Sequence, residues 1–181
     1  GGIIRSGAGD AISGEQDTGD ETSGNTITNS GTIYSDDQRA INFFSDATTS
    51  TVTNNSSGHI YNSNTNETIK LDTSSTLTNS GKIENKNSAD NNSVLLIGDN
   101  NTVTLKDSGL VIGTIAASSG TSGNTLKIQH GIGQSYYYKT SGTFDLEDLD
   151  GNQIVKGSAG SVGQGGSETL DELLSYKTIN L

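Results

Sequence analysis

Four segments of this chain share one pattern, and their spacing leaves few folds open. They are TITNSG (Thr26 to Gly31), TVTNNSSG (Thr51 to Gly58), TLTNSG (Thr76 to Gly81) and TVTLKDSG (Thr102 to Gly109). Their central aliphatics, Ile27, Val52, Leu77 and Val103, lie 25, 25 and 26 residues apart (52−27, 77−52, 103−77). A second short segment follows each: GTIYS with Ile33, GHIYN with Ile60, GKIEN with Ile83 and GLVIG with Val111. A third set reads AINFF, TIKL, VLLIG and TLKIQ. The start fits the same unit: Gly2, Ile4, Ala11 and Ile12 match Gly31, Ile33, Ala40 and Ile41, each at an offset of 29 (for example 31−2). Self-similarity at such a period is the signature of a solenoid.

Each segment alternates apolar with Thr, Asn or Lys, the period of a strand with one buried face. A strand this short cannot bury its face alone, but coiling the chain so that equivalent strands stack in parallel, ~4.8 Å apart, does bury it. The expected fold is all-β: a right-handed parallel β-helix with three-strand rungs of about 25–29 residues. Three aliphatic ladders are predicted inside it: Ile27, Val52, Leu77 and Val103; Ile33, Ile60, Ile83 and Val111; and Ile41, Ile69, Leu95 and Leu126. Asn29, Asn54 and Asn79 recur at the corner before glycine, where stacked amides can hydrogen-bond along the axis. Leu105 takes that place in the fourth rung, so the amide ladder should end there. Gly31, Gly58, Gly81 and Gly109 are expected to supply turn conformations that other residues resist. A leucine-rich horseshoe would need helical segments, and residues 1–130 carry no helical period.

The repeat also answers an objection from composition. With 29% hydrophobic and 5% aromatic residues, the chain is close to the regime in which too little apolar surface is buried to offset ordering entropy. Its polar residues are Gly, Ser, Thr, Asn and Asp, however, which suit turns and the solvent faces of sheets. A net charge of −11 argues against a nucleic-acid partner, which calls for clustered Lys and Arg. The absence of cysteine excludes disulfides and thiolate metal sites. No N-terminal signal is visible, so export is expected to be encoded upstream.

The repeat fades near Gly131, which divides the chain into rungs over 1–130 and a C-terminal cap over 131–181. Tyr136, Tyr137 and Tyr138 form the main aromatic cluster, with Tyr136 and Tyr138 on one strand face. Further irregular strands, some in hairpins, are expected to close the coil. After the SVGQGGS joint, a capping box of Thr169 with Glu172 and the spacing of Leu170, Leu173 and Leu174 predict a helix near 168–178.

The recurring T-[ILV]-T-N-S-G-x-I blocks and the A-I-x-F strand resemble the passenger domains of bacterial autotransporters, the type V secretion family, in the style of the AIDA-like adhesins. The resemblance covers about two-thirds of the chain and is one of repeat style. It implies a right-handed β-helix displayed at the surface of a Gram-negative bacterium or secreted through the periplasm. Its partner would be its own outer-membrane translocator barrel, and the irregular end would correspond to an autochaperone-like region. A host-cell or bacterial-surface receptor is a further expected partner.

Candidate chemistry is sparse. His59 falls at a strand position held by Thr32 or Lys82 in neighbouring rungs, which marks a solvent-facing residue, and His130 ends a strand. Asp145, Glu147, Asp148 and Asp150 before Gly151 resemble a calcium loop only loosely, without the closing Glu. Asp36, Asp37 and Asp46 fall in variable turns, not as stacked acidic pairs of a glycan-cleaving groove. Thr26/Thr28, Thr51/Thr53, Thr76/Thr78 and Thr102/Thr104 should form two outward columns, similar to the ice-binding face of insect β-helical antifreeze proteins, although Thr suits any exposed strand. The expected function is therefore a non-enzymatic structural or adhesive module without cofactor or metal. It would nucleate folding and display an adhesin or effector during secretion. The alternatives are self-association between cells, a glycan-active enzyme, or ice binding through the T-x-T face.

Overall fold

The computed structural model describes residues 1–14, 23–44, 47–130 and 138–147. The first turn holds β1 (Ile3–Ser6), β2 (Ile12–Gly14) and β3 (Thr26–Asn29); the second β4 (Thr32–Ser35), β5 (Ile41–Phe43) and β6 (Thr51–Asn54). The third holds β7 (His59–Asn62), β8 (Ile69–Leu71) and β9 (Thr76–Asn79), and the fourth β10 (Lys82–Asn85), β11 (Asn92–Leu96) and β12 (Thr102–Asp107). β13 (Leu110–Ile112), β14 (Thr114–Ala117) and β15 (Thr125–His130) make the fifth, followed by β16 (Lys139–Ser141) and β17 (Asp145–Glu147). Every third strand joins the same sheet. Sheet A runs β1-β4-β7-β10-β13, sheet B β2-β5-β8-β11-β14-β16 and sheet C β3-β6-β9-β12-β15-β17. All pairings among the described strands are parallel. The protein is a parallel β-solenoid of about five turns.

Two of the three expected ladders form as the repeat dictates. In sheet C, Ile27, Val52, Leu77 and Val103 are register partners in succession, and Val52, Leu77 and Val103 are fully buried. In sheet A, Ile33, Ile60, Ile83 and Val111 line up likewise, with Ile4 paired to Ile33. Burial of each such side chain contributes about 1.5–3 kcal/mol.

The third ladder differs from the sequence expectation at two positions. In β11 the inward residues are Val94 and Leu96, paired with Ile69 and Leu71 and fully buried; Leu95 pairs with Lys70 and faces outward. The run VLLI is aliphatic at every position, so alternation cannot fix its phase, and a one-residue slip exchanges the faces. Leu126 belongs instead to sheet C, opposite Val103. The place assigned to it is filled by Ile115 of β14, opposite Val94. Only Gly113, at φ +126°, separates β13 from β14, and the strand TIAA holds one large aliphatic, so its sequence signal is faint.

Past residue 130, β16 pairs in parallel with β14 and β17 with β15. These strands add to the coil; they form no hairpin with one another. Tyr136, Leu170, Leu173 and the expected helix near 168–178 lie outside the described residues, and no helix occurs among the described ones.

The register of β11 is open to a direct check. Leu96→Ala is expected to lower the unfolding free energy by about 2–5 kcal/mol, as a buried truncation does, whereas Leu95→Ala should cost well under half of that. Urea melts of the two variants followed by circular dichroism compare them.

Candidate interaction faces and their polar spines

Columns of buried polar side chains run along the axis, and two of them flank sheet C. At the corner after sheet C, Asn29 Nδ2 donates to Asn54 Oδ1 (2.9 Å) and Asn54 Nδ2 to Asn79 Oδ1 (2.8 Å). The same amides serve the corner backbone: Asn29 Nδ2 donates to the Gly31 carbonyl at 3.1 Å, and Asn54 Nδ2 to those of Gly58 at 3.3 Å and Lys82 at 3.1 Å. Asn79 Nδ2 turns to the Leu110 carbonyl (3.2 Å), because Leu105 occupies the next place. All three amides are buried, which only such bonding makes tolerable.

The glycines of this corner act differently from expectation. None of Gly31, Gly58, Gly81 and Gly109 has a positive φ. What excludes a side chain is close approach between turns: a Cβ on Gly81 would sit 2.3 Å from the carbonyl oxygens of both Asn55 and Gly58.

The second spine precedes sheet C and consists of Asn25, Ser50, Ser75, Asn101 and Asn124. The Ser50 amide donates to Ser75 Oγ (3.1 Å), the Ser75 amide to Asn101 Oδ1 (2.9 Å) and the Asn101 amide to Asn124 Oδ1 (2.9 Å). Just before each spine residue stands a left-handed one: Gly24, Thr49, Ser74, Asn100 and Gly123, at φ from 54° to 74°. The sequence carried this signal as an Asn or Ser before every T-x-T, although the left-handed column beside it, with a β-branched Thr at one place, has no single residue type to betray it.

The coil presents three outer faces, one for each sheet. On sheet C the Thr columns are in register: Thr26, Thr51, Thr76 and Thr102, and Thr28, Thr53, Thr78 and Thr104, all exposed or half-buried. The columns end in charge, where Lys127 Nζ meets Glu147 Oε2 at 2.8 Å. Asp145 and Glu147 are thus strand residues of sheet C.

Sheet A carries a different surface. Arg5, Tyr34, Tyr61 and Glu84 succeed one another across β1, β4, β7 and β10. The two tyrosine rings stack 4.7 Å apart at 11°. Arg5 caps this pair at 5.6 Å from the Tyr34 ring, and Lys86 Nζ sits 3.3 Å from the Tyr61 ring centre. Arg5 also pairs with Asp36 at 2.8 Å. His59 Nε2 lies 3.1 Å from Glu84 Oε2, which also holds Lys82 Nζ at 2.7 Å. Burial lowers the His59 pKa from the usual 6.5, partly offset by the Glu84 hydrogen bond. Burial pushes the Glu84 carboxyl up, but the hydrogen bond and charge of Lys82, with the His59 bond, bring it below the ordinary value. The tyrosine at one place in both GTIYS and GHIYN was the sequence signal for this stack.

His130 ends β15, as its place in the sequence predicts. It is buried, with Nδ1 2.7 Å from the Asp107 carbonyl, so Nδ1 carries the hydrogen. Its ring stacks on buried Tyr138, whose hydroxyl contacts His130 Nε2 and lies 3.5 Å from the Gly109 carbonyl. The pair thus occupies the corner where the Asn spine stops. Among the described residues, no group of three or more His, Asp or Glu side chains is placed to hold a metal ion.

Comparison with protein-family models, with characterised proteins and with solved structures finds no match.

Two measurements probe these features. Asn54→Ala leaves partners on both neighbouring turns and should lower stability by roughly 1–3 kcal/mol. Gly81→Ala should melt far earlier than Gly7→Ala, where a Cβ meets nothing within 4 Å; thermal melts rank the three. NMR titration of His59 should give a midpoint below 6.5, and Glu84→Gln should move it lower still, because Glu84 acts to raise it. The sign for stability follows: the unfolded imidazole binds protons more readily, so the contribution of neutral His59 is full above pH about 6.5 and is lost as pH falls through the folded pKa.

Proposed function

We propose that this chain is a non-enzymatic structural and adhesive module from the C-terminal part of an autotransporter passenger. In this reading it is displayed on the surface of a Gram-negative bacterium or secreted. The observation that carries the reading is the in-register stack of T-x-T-N corners, in a parallel solenoid whose repeat style resembles that of such passengers. A solenoid suits export through a narrow barrel, since each turn contacts only its neighbours and folding can propagate turn by turn outside the cell. The free energy released by stacking would favour outward movement, and the C-terminal end of the coil would be where stacking starts. Its partners would be the translocator barrel and a receptor on a host or bacterial cell.

Of the three faces, that of sheet A fits the receptor best. It combines Tyr34, Tyr61, Arg5 and His59 in one patch, and Tyr and Arg are the residues that dominate binding energy at protein interfaces. The Thr face of sheet C would keep the shaft soluble.

The test is to join the chain upstream of a type V translocator barrel in a Gram-negative host and probe intact cells with an antibody and with protease. Surface exposure as a protease-resistant fragment, lost on replacing Leu77 and Val103 by Asp, is expected. Retention in the periplasm with the wild-type sequence would refute the reading.

A further inference from the structure

In the first turn the aliphatic ladders are less covered than one turn further on. Among the described residues, Ile3 and Ile4 are the exposed large hydrophobics, at 72% and 46%. Ile4 stands in the sheet A ladder directly on Ile33, itself 2% exposed. The terminal members of the other ladders, Ile12 in sheet B and Ile27 in sheet C, are likewise only partly buried, whereas Ile41 and Val52 one turn on are fully buried. Among the described residues, the same end of all three sheets thus presents an aliphatic side chain with nothing stacked upon it.

Its polar atoms have a matching direction. The carbonyls of Gly2 and Ser6 accept from the Thr32 and Asp36 amides. Along a parallel strand, the alternate residues Ile3 and Arg5 therefore turn their backbone groups away from β4, toward the open side. In the Asn spine every step donates from Nδ2 of one turn to Oδ1 of the next, so Asn54 and Asn79 each accept from the turn before. Asn29 Oδ1 accepts from the Gly31 amide at 3.0 Å within its own turn. An amide oxygen has two lone pairs, and the second is placed to continue the spine.

We infer that the β1–β2–β3 end of the solenoid is an accepting surface for one more three-strand parallel turn of the same repeat chemistry. That turn carries an aliphatic over each of Ile4, Ile12 and Ile27, and an Asn whose Nδ2 donates to Asn29. The contact continues the turn-to-turn interface repeated along the molecule. An open edge with an apolar face is otherwise a site for indiscriminate strand pairing. This inference does not depend on the proposed secretion or adhesion.

The test supplies the turn. Residues 32–54, which carry one strand for each sheet and end on Asn54, are duplicated directly before Gly1, so that the copied Asn falls one turn ahead of Asn29. A control carries the same duplication with the copies of Ile33, Ile41 and Val52 replaced by Asp. The matched fusion is expected to slow hydrogen exchange at the Ile3 and Arg5 amides to the rates of β4. It should also raise the melting midpoint by roughly 5 °C or more, and the control should do neither. Edge amides that exchange as fast in the matched fusion as in the parent, with an unchanged midpoint, would overturn the inference. So would concentration-dependent dimers of the parent chain that Ile4→Lys abolishes, since the surface would then belong to a second copy.

Discussion

Everything in this molecule depends on registration between one turn and the next. Each strand is three to six residues long, too short to persist alone, and each exists because the equivalent strand of the neighbouring turn lies ~4.8 Å away with its backbone groups aligned. The interior then becomes a set of aliphatic columns, each in contact with its copies above and below. The cost in conformational entropy is offset turn by turn, not by a central core drawn from distant parts of the chain. A composition near that of disordered chains can fold because most of its aliphatics are placed on such inward columns.

Polar residues do the complementary work of fixing that registration. Aliphatic columns alone tolerate slippage, since one buried Ile resembles another. The Asn spine does not, because Asn54 must meet Asn29, Asn79 and the Gly58 and Lys82 carbonyls at once. A buried amide left without partners costs on the order of 1–3 kcal/mol. The spine of Ser50, Ser75, Asn101 and Asn124 pins the opposite end of sheet C. Where the Asn series stops at Leu105, His130 and Tyr138 take over the corner carbonyls with larger side chains. With the interior so constrained, the outer faces are free to vary: neutral Thr columns on sheet C, and stacked tyrosines with Arg5, His59 and Lys86 on sheet A.

Much of this was legible in the chain itself. The 25- and 26-residue spacing of Ile27, Val52, Leu77 and Val103 fixed the fold class, two complete ladders, the Asn spine and its end at Leu105. A pattern of period two states which residues face inward whenever polar and apolar residues alternate. The tertiary structure alone decided the rest. It chose Val94 and Leu96 over Leu95, because a strand aliphatic at every position has no phase until its neighbours impose one. It moved Leu126 to sheet C and seated Ile115 in its place, because a one-glycine corner and a strand of small residues leave no periodic trace. It gave Gly81 its reason, the approach of two carbonyls from another turn. It also buried His130 against Tyr138, a contact between a strand end and a residue beyond the repeat. Contacts repeated at every turn are written into the sequence as its period, whereas contacts made once exist only when the coil is closed.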